Sequence, residues 1–192
     1  ADRHGRAPGP GGQLHRREGN AAAALHQFQL AASLEPHQAH YRQAAASAYE
    51  EAGQVEEALV ELRAALSIDP GQARWYQQLA DLCQKMGRLE EARGAAQRAA
   101  ELDPQQASYL RHCGILSQLL GRPGDAIGEL KSALSLDPQD HQAAYHLGQA
   151  HGALGDWEEA QRQQRRALEL YPTETIYGLS LAQALISLER PR

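Results

Sequence analysis

The chain has 192 residues and a formal net charge of −5, so it lacks the clustered basic surface that nucleic-acid binding requires. It holds two cysteines, Cys83 and Cys113, which exclude a disulfide scaffold, show no metal-ligand spacing and favour a reducing compartment. No apolar run approaches the roughly 20 residues that span a bilayer, so we expect no membrane insertion and a cytoplasmic location.

The first elements in chain order are a tail and a single helix. Residues 1–19 begin with a glycine- and proline-rich stretch that predicts a flexible tail or a degenerate first helix. Gly19 would end that segment, and Asn20 is a suitable N-cap for the helix that follows. The pattern then predicts a helix over Ala21–Leu34, which we interpret as the second helix of a partial repeat spanning residues 20–38.

From Ala39 onward, residues recur at a spacing of 34. Each proline closes one unit because it cannot continue a helix, and each glycine supplies the left-handed residue that ends the first helix of a unit. In the second unit the pattern predicts helices over residues 73–86 and Leu89–Leu102, with Gly87 between them. The recurring columns include Pro36, Pro70, Pro104, Pro138 and Pro172, and Gly53, Gly87, Gly121 and Gly155.

The period predicts four complete helix-turn-helix units and a final half-unit. The complete units cover residues 39–72, 73–106, 107–140 and 141–174. In the third unit Pro123 falls in the first turn of the second helix, where proline is tolerated. Residues 175–192 form a half-repeat or capping helix, and the predicted helix from Thr173 to Leu188 is apolar on more than one face.

These units resemble tetratricopeptide repeats, whose 34-residue period they share. The phrases that carry the resemblance are VEEAL, LEEAR and WEEAQ at the start of the second helix in three of the four units, with Leu-Asp-Pro at the end of two units. Small residues at Ala46, Ala80, Gly114 and Gly148 would let the two helices of a unit approach closely. The resemblance implies an all-α solenoid, a right-handed superhelix whose first (A) helices line a concave groove and whose second (B) helices lie outside.

The family's groove positions, transferred to this chain, give a polar and nearly neutral face. Such a face suits an extended polar peptide better than an apolar helix. The positions are His40, Gln43, Ser47, Arg74, Gln77, Gln78, Asp81, Ser108, Arg111, His112, Gln142, Tyr145, His146 and Gln149.

One subclass of the family grips the acidic tails of heat-shock chaperones with lysine, asparagine and arginine side chains. The corresponding positions here hold Gln43, Ser47, Asp81, Arg111 and Ile115. Only Arg111 would attract a carboxylate, and Asp81 would repel one. We therefore expect the partner not to be an acidic chaperone tail.

Other reactive or aromatic side chains have simpler interpretations. His112 and His146 lie one period apart and could form a pair, but zinc usually takes four ligands. Cys83 and Cys113 are expected to be buried apolar residues. Of the two tryptophans, Trp75 is the better candidate for exposure, whereas Trp157 is expected to pack in the core.

The sequence thus predicts a non-catalytic scaffold that binds a protein or peptide and has no catalytic residues, metal or cofactor. Neither a phosphate-binding glycine loop nor a nucleophile with its base is present in it. Two alternatives stay open at this point: an accessory region of a larger enzyme, such as a glycosyltransferase, and a solenoid that self-assembles into homo-oligomers through its terminal helices.

Overall fold

The computed structural model describes residues 21–189, and over this range the backbone forms ten α-helices and no strands. The prediction of an all-α chain is therefore confirmed. The predicted tail of residues 1–19, the Asn20 cap and the end of the last segment, residues 190–192, lie outside the described residues. The helices are α1 (Ala21–Leu34), α2 (Ala39–Glu51), α3 (Val55–Ile68), α4 (Ala73–Lys85), α5 (Leu89–Leu102), α6 (Ala107–Leu119), α7 (Pro123–Leu136), α8 (His141–Ala153), α9 (Trp157–Leu170) and α10 (Thr175–Glu189).

The chain divides into two compact units, Ala1–Arg88 and Leu89–Arg192, and the division falls within the second predicted repeat. In the first unit, α1 packs on α2, α2 on α3, and α3 on α4. In the second unit, α5 to α10 pack in succession, and α8 also contacts α6 and α10. Helices α2, α4, α6, α8 and α10 occupy the A position of a repeat, and α1, α3, α5, α7 and α9 occupy the B position.

Each A helix from α2 to α8 ends at a glycine with positive φ, between 71° and 78°. At the end of α6, the Gly121 N–H donates to the Gln118 carbonyl at 2.9 Å, and the Arg122 N–H donates to the Ser117 carbonyl at 2.8 Å. These bonds satisfy carbonyls at the end of the helix that have no donor within the helix, and they require a residue in the left-handed conformation. The predicted role of the recurring glycines is confirmed.

Two glycines in the same repeat should respond in opposite ways to alanine. Gly121→Ala is expected to destabilise the protein by about 1 to 2 kcal/mol, because alanine is strained at a φ of +71°. Gly128→Ala is expected to stabilise it by about 0.5 to 1 kcal/mol, because Gly128 lies inside α7 with open space around its Cα. Chemical unfolding of both variants checks the signs, and equal effects would show that the turn does not need glycine.

The core of the second unit forms where small residues let its helices approach. Leu130 on α7 is fully buried, and a Cβ placed on Gly114 of α6 would lie only 2.5 Å from the Leu130 Cγ. One period later, Gly148 on α8 faces Gln164 on α9 in the same way. One apolar cluster of this unit comprises Ala126, Leu130, Ala133, Leu134, Ala143, Ala144, Leu147, Ala150, Ala167 and Tyr177.

Both cysteines are buried, as predicted, Cys83 in the first unit and Cys113 in the second. Burial raises the pKa of the Cys113 thiol to about 12, and the nearby Glu129 carboxylate adds to the increase. A thiol with that pKa stays protonated at neutral pH and is a poor nucleophile. Cys83 and Cys113 therefore act as small apolar core residues.

Candidate functional site

The predicted site residues of the first unit lie on the A helices α2 and α4, and several of them bond to one another. Gln43 donates to Ser47 at 3.0 Å and to Gln78 at 3.2 Å, and Gln78 donates to Ser47 at 3.2 Å. Gln78 also donates to Glu50 at 2.9 Å, and Lys85 donates to the same carboxylate at 2.5 Å. This face is thus a hydrogen-bonded network joining two A helices, and a partner would have to replace some of its bonds.

The other predicted residues of this unit flank the network. Gln77 donates to Asp81 at 3.1 Å, one turn apart on α4, while Arg74 and His40 are exposed. The interpretation of Trp75 as an exposed side chain is wrong: it is 7% exposed. Its ring and the His40 ring form a T-shaped contact with 5.2 Å between centroids, so the indole belongs to the packing between α2 and α4.

In the second unit, Arg111 is already paired. Its guanidinium forms a close ion pair with Asp140, a buried carboxylate that also accepts the Ala143 N–H at 2.9 Å and so caps α8. Of the five positions compared with the chaperone-tail clamp, the one that holds a cation is therefore paired with an internal anion. This pairing agrees with the expectation that the face does not bind an acidic tail.

The two predicted histidines occupy different environments. His112 is buried, at 8% exposure, so it offers little surface to a partner. His146 is half-buried, and its Nδ1 lies 3.0 Å from the Gln118 Oε1, while the Gln118 amide donates to the His146 carbonyl at 2.8 Å. Burial lowers the pKa of His146 to about 4, and the Arg111 charge adds to the decrease while Asp140 opposes it. His146 is therefore neutral at physiological pH.

The low pKa of His146 predicts an acid-sensitive fold. In the unfolded chain a histidine titrates near 6.5, so the unfolded state takes up this proton before the folded state does. Stability should therefore fall as the pH drops from about 6.5 to about 4, and the loss should level off below that range.

The free energy of unfolding, measured at about pH 7 and about pH 5, tests this dependence. His146→Phe keeps a ring beside Tyr145 but cannot titrate, so its stability should fall less between the two pH values. An equal fall in the variant and the wild type would contradict the assignment of the proton to His146.

Tyr145 and Gln149 join α8 to α10. Gln149 is exposed and donates to the Tyr145 hydroxyl and to Ser180, both at 3.1 Å. The Tyr145 ring lies 4.9 Å from the Tyr177 ring. Ser108 is half-buried on α6, and Gln142 is exposed on α8.

Sequence reasoning missed the aromatic cluster beside Tyr145. His141 stacks on Tyr171 with 4.7 Å between centroids, and its Nδ1 lies 2.7 Å from the Tyr177 hydroxyl. A signal for it was present, because Tyr177 stands in the same repeat column as Trp75 and Tyr109, and all three are buried. The cluster fixes α10 against α8 at one end of the face.

An open pocket lies between α6 and α8. Its polar lining includes Gln118, Tyr145, His146 and Gln149, and its apolar lining includes Ile115 and Leu119. Leu119 is a large exposed apolar residue that sequence reasoning did not include in the site. The pocket can accept both hydrogen-bonding and apolar groups from a ligand.

Across residues 21–189, no three His, Cys, Asp or Glu side chains come together in a group that could hold a metal ion. Within the same range, no helix has the length and apolar character needed to cross a membrane.

Comparison with known proteins shows which family this chain resembles in sequence and in fold. The family model described as tetratricopeptide repeat matches residues 51–112 and 119–185. No curated protein sequence matches the chain. Many solved structures do, and three of them indicate how similar the fold is.

The chain superposes on MamA with a TM-score of 0.80 and 22% identity, covering 86% of this chain and 97% of MamA. It superposes on YrrB, a tetratricopeptide repeat protein with an unusual peptide-binding site, with a TM-score of 0.80 and 19% identity. The match covers 88% of this chain and 87% of YrrB. On pilF of Pseudomonas aeruginosa it superposes with a TM-score of 0.74 and 19% identity, covering 93% of this chain and 82% of that protein. The matches confirm the all-α solenoid class, and since the family model covers more than half of the chain, this protein belongs to the tetratricopeptide repeat family.

Proposed function

We propose that this protein is a non-catalytic scaffold that binds a partner peptide or protein domain through the exposed faces of its A helices, the predicted groove. The family and the fold support an interaction scaffold in general. The observation that carries the finer proposal is the pocket between α6 and α8, where hydrogen-bonding side chains adjoin the exposed Leu119. Ligand sites commonly combine an apolar lining with a few polar groups in this way.

The charges on this face favour a polar, uncharged segment as the partner. Arg111 is paired with Asp140, and His146 is neutral at physiological pH. A strongly acidic ligand would therefore have to compete with Asp140 for Arg111, at the cost of leaving a buried carboxylate unpaired. Glutamine and tyrosine side chains can instead bond to the amides of an extended backbone.

Affinity capture tests the proposal with variants of equal charge. Leu119→Asp with Gln142→Asp changes the α6–α8 face, and Val60→Asp with Ser132→Asp changes exposed positions on B helices. We expect the A-face variant to lose a client protein that the wild type and the B-helix variant both capture, with at least a tenfold loss of affinity. A client retained equally by both variants would place the binding surface elsewhere.

A second candidate is self-assembly through α10, and one observation favours it. Ala46, Ala80, Gly114 and Gly148 are buried in their repeats, whereas Ala182, in the same column, is exposed. Leu185, Ile186 and Leu188 are also exposed large apolar residues, so this helix has an uncovered apolar face.

Sedimentation over a range of concentrations tests the second candidate. If α10 joins two copies, the mass should rise with concentration in the wild type, and Leu185→Asp with Ile186→Asp should keep it at that of a single chain. A constant mass in the wild type would reject self-assembly.

We also propose a cytoplasmic location, which the two buried free thiols support.

A further inference from the structure

A second pocket lies between α8, α9 and α10, and it differs from the α6–α8 pocket in having a floor. Tyr145 and Gln149 form one wall, and Ile176, Leu179 and Ser180 of α10 form the other. The floor consists of Trp157, Ala160 and Gln164 of α9, and two glycines of α8, Gly148 and Gly152, line the pocket beside it. Ile176 and Leu179 are 47% and 67% exposed, so the apolar wall is open to solvent.

One of the two glycines beside the floor, Gly152, is specific to this repeat. The preceding repeats carry Glu50, Gln84 and Gln118 at the position of Gly152, and each of these has a long side chain. A Cβ on Gly152 would lie 3.1 Å from the Trp157 Cζ3, and one on Gly148 would lie 2.8 Å from the Gln164 Nε2. Larger residues at these two positions would therefore press on the floor.

Gln164 breaks the pattern of its column. It stands where the equivalent positions hold Leu62, Ala96 and Leu130, which are all fully buried. Gln164 is only 2% exposed, yet its Oε1 has no hydrogen-bond partner in the structure. Its Nε2 lies 3.4 Å from the Tyr145 carbonyl, beyond the usual 2.7 to 3.2 Å range. A buried acceptor without a donor destabilises the fold, and such departures from local consistency are expected at functional sites.

We propose that this pocket receives an aromatic side chain that carries one N–H donor, the indole of a tryptophan on the bound partner, and that Gln164 accepts its hydrogen bond. The proposal rests on the proposed function, because the pocket lies between two helices of the A-helix face. The aromatic ring would lie against Ile176, Leu179 and Trp157, and would remove their apolar surface from water. The donor follows from Gln164, because an amide oxygen only accepts hydrogen bonds.

Two small probes of the same shape test the hydrogen bond on the full chain. Indole carries the N–H, and benzofuran has an oxygen acceptor in its place. We expect nuclear magnetic resonance titration to shift the amide signals of Gly148 and Gly152 and the side-chain amide of Gln164. Indole should bind about tenfold more tightly than benzofuran, which corresponds to about 1.4 kcal/mol.

Two variants give the test its controls. Gln164→Leu introduces the residue that Leu62 and Leu130 place in this column, so the fold should persist, and the preference for indole should disappear. Leu179→Ser changes only the exposed wall and should weaken both probes alike.

Equal affinity for both probes in the wild type, no binding, or shifts confined to other residues would each overturn the proposal. The capture experiment with Leu119 and Gln142 does not use this pocket. Loss of a client there together with a negative probe result would reject the indole pocket and leave the scaffold function standing.

Discussion

Replacing Leu130 with alanine is expected to lower the free energy of unfolding by about 2 to 5 kcal/mol. The side chain is fully buried, packs from α7 against Gly114 of α6, and belongs to the apolar cluster of the second unit described above. The residue that faces it is Gly114, which has no side chain to move into the space left by the leucine. The cavity should therefore persist, which places the cost in the upper part of that range.

Leu119→Ala is the matched control, because it makes the same substitution at an exposed leucine of the adjoining helix α6. Its effect should stay within about 0.5 kcal/mol. Denaturant unfolding followed by circular dichroism measures both changes. A larger cost for Leu119 than for Leu130 would mean that the assignment of interior and exterior faces is reversed.

The helices were largely predictable because their signals are local and recur. Proline and glycine set the ends of helices through the backbone alone, and the same residues return in every repeat. The predicted bounds of Ala21–Leu34 and Leu89–Leu102 agree with the structure. The last helix was predicted to begin at Thr173, whereas it begins at Thr175. Its bounds were harder to predict because the sequence pattern there covers one helix of a repeat rather than a helix pair.

The side-chain partners within the site could not be predicted in the same way. The transferred pattern placed Arg111 on the face, but it did not show that Asp140, the cap of the next A helix, would hold its charge. Trp75 was misassigned because its position at a helix start suggested exposure, whereas burial depends on the neighbouring helix α2. The use of the predicted residues by a partner stays a prediction.

Gln164 is unusual both in its repeat column and in its surroundings in the fold. In the sequence it is an irregular residue in a column that otherwise favours apolar side chains. In the structure it becomes a buried acceptor at the floor of a pocket, next to Gly148 and Gly152 of α8. Neither the repeat pattern nor the pocket alone would identify the chemistry of a ligand. Together they specify a hydrogen-bond donor on an apolar group.

Gly114→Ala is expected to destabilise the protein by about 1 to 3 kcal/mol, even though alanine favours a helix over glycine by about 0.5 to 1 kcal/mol. The new Cβ would lie 2.5 Å from the Leu130 Cγ, a branch point that cannot rotate away inside a packed core. Gly128→Ala measures the helix-propensity gain alone, since its Cβ would meet nothing. A stabilising effect of Gly114→Ala equal to that of Gly128→Ala would show that the helices are not in close contact there.

The double variant Gly114→Ala with Leu130→Ala separates the clash from other effects. Removing the leucine removes the atoms that the new methyl group would strike, and the methyl group fills part of the cavity. The double variant should therefore lose less stability than the two single variants added together, by about 1 kcal/mol or more. Additive costs would mean that Gly114 and Leu130 act independently. The second predicted repeat already combines alanines in these two columns, Ala80 and Ala96, so a small pair is compatible with the repeat. The first combines Ala46 with Leu62, so the coupling energy measures how far the close approach in the third repeat, rather than leucine itself, requires glycine.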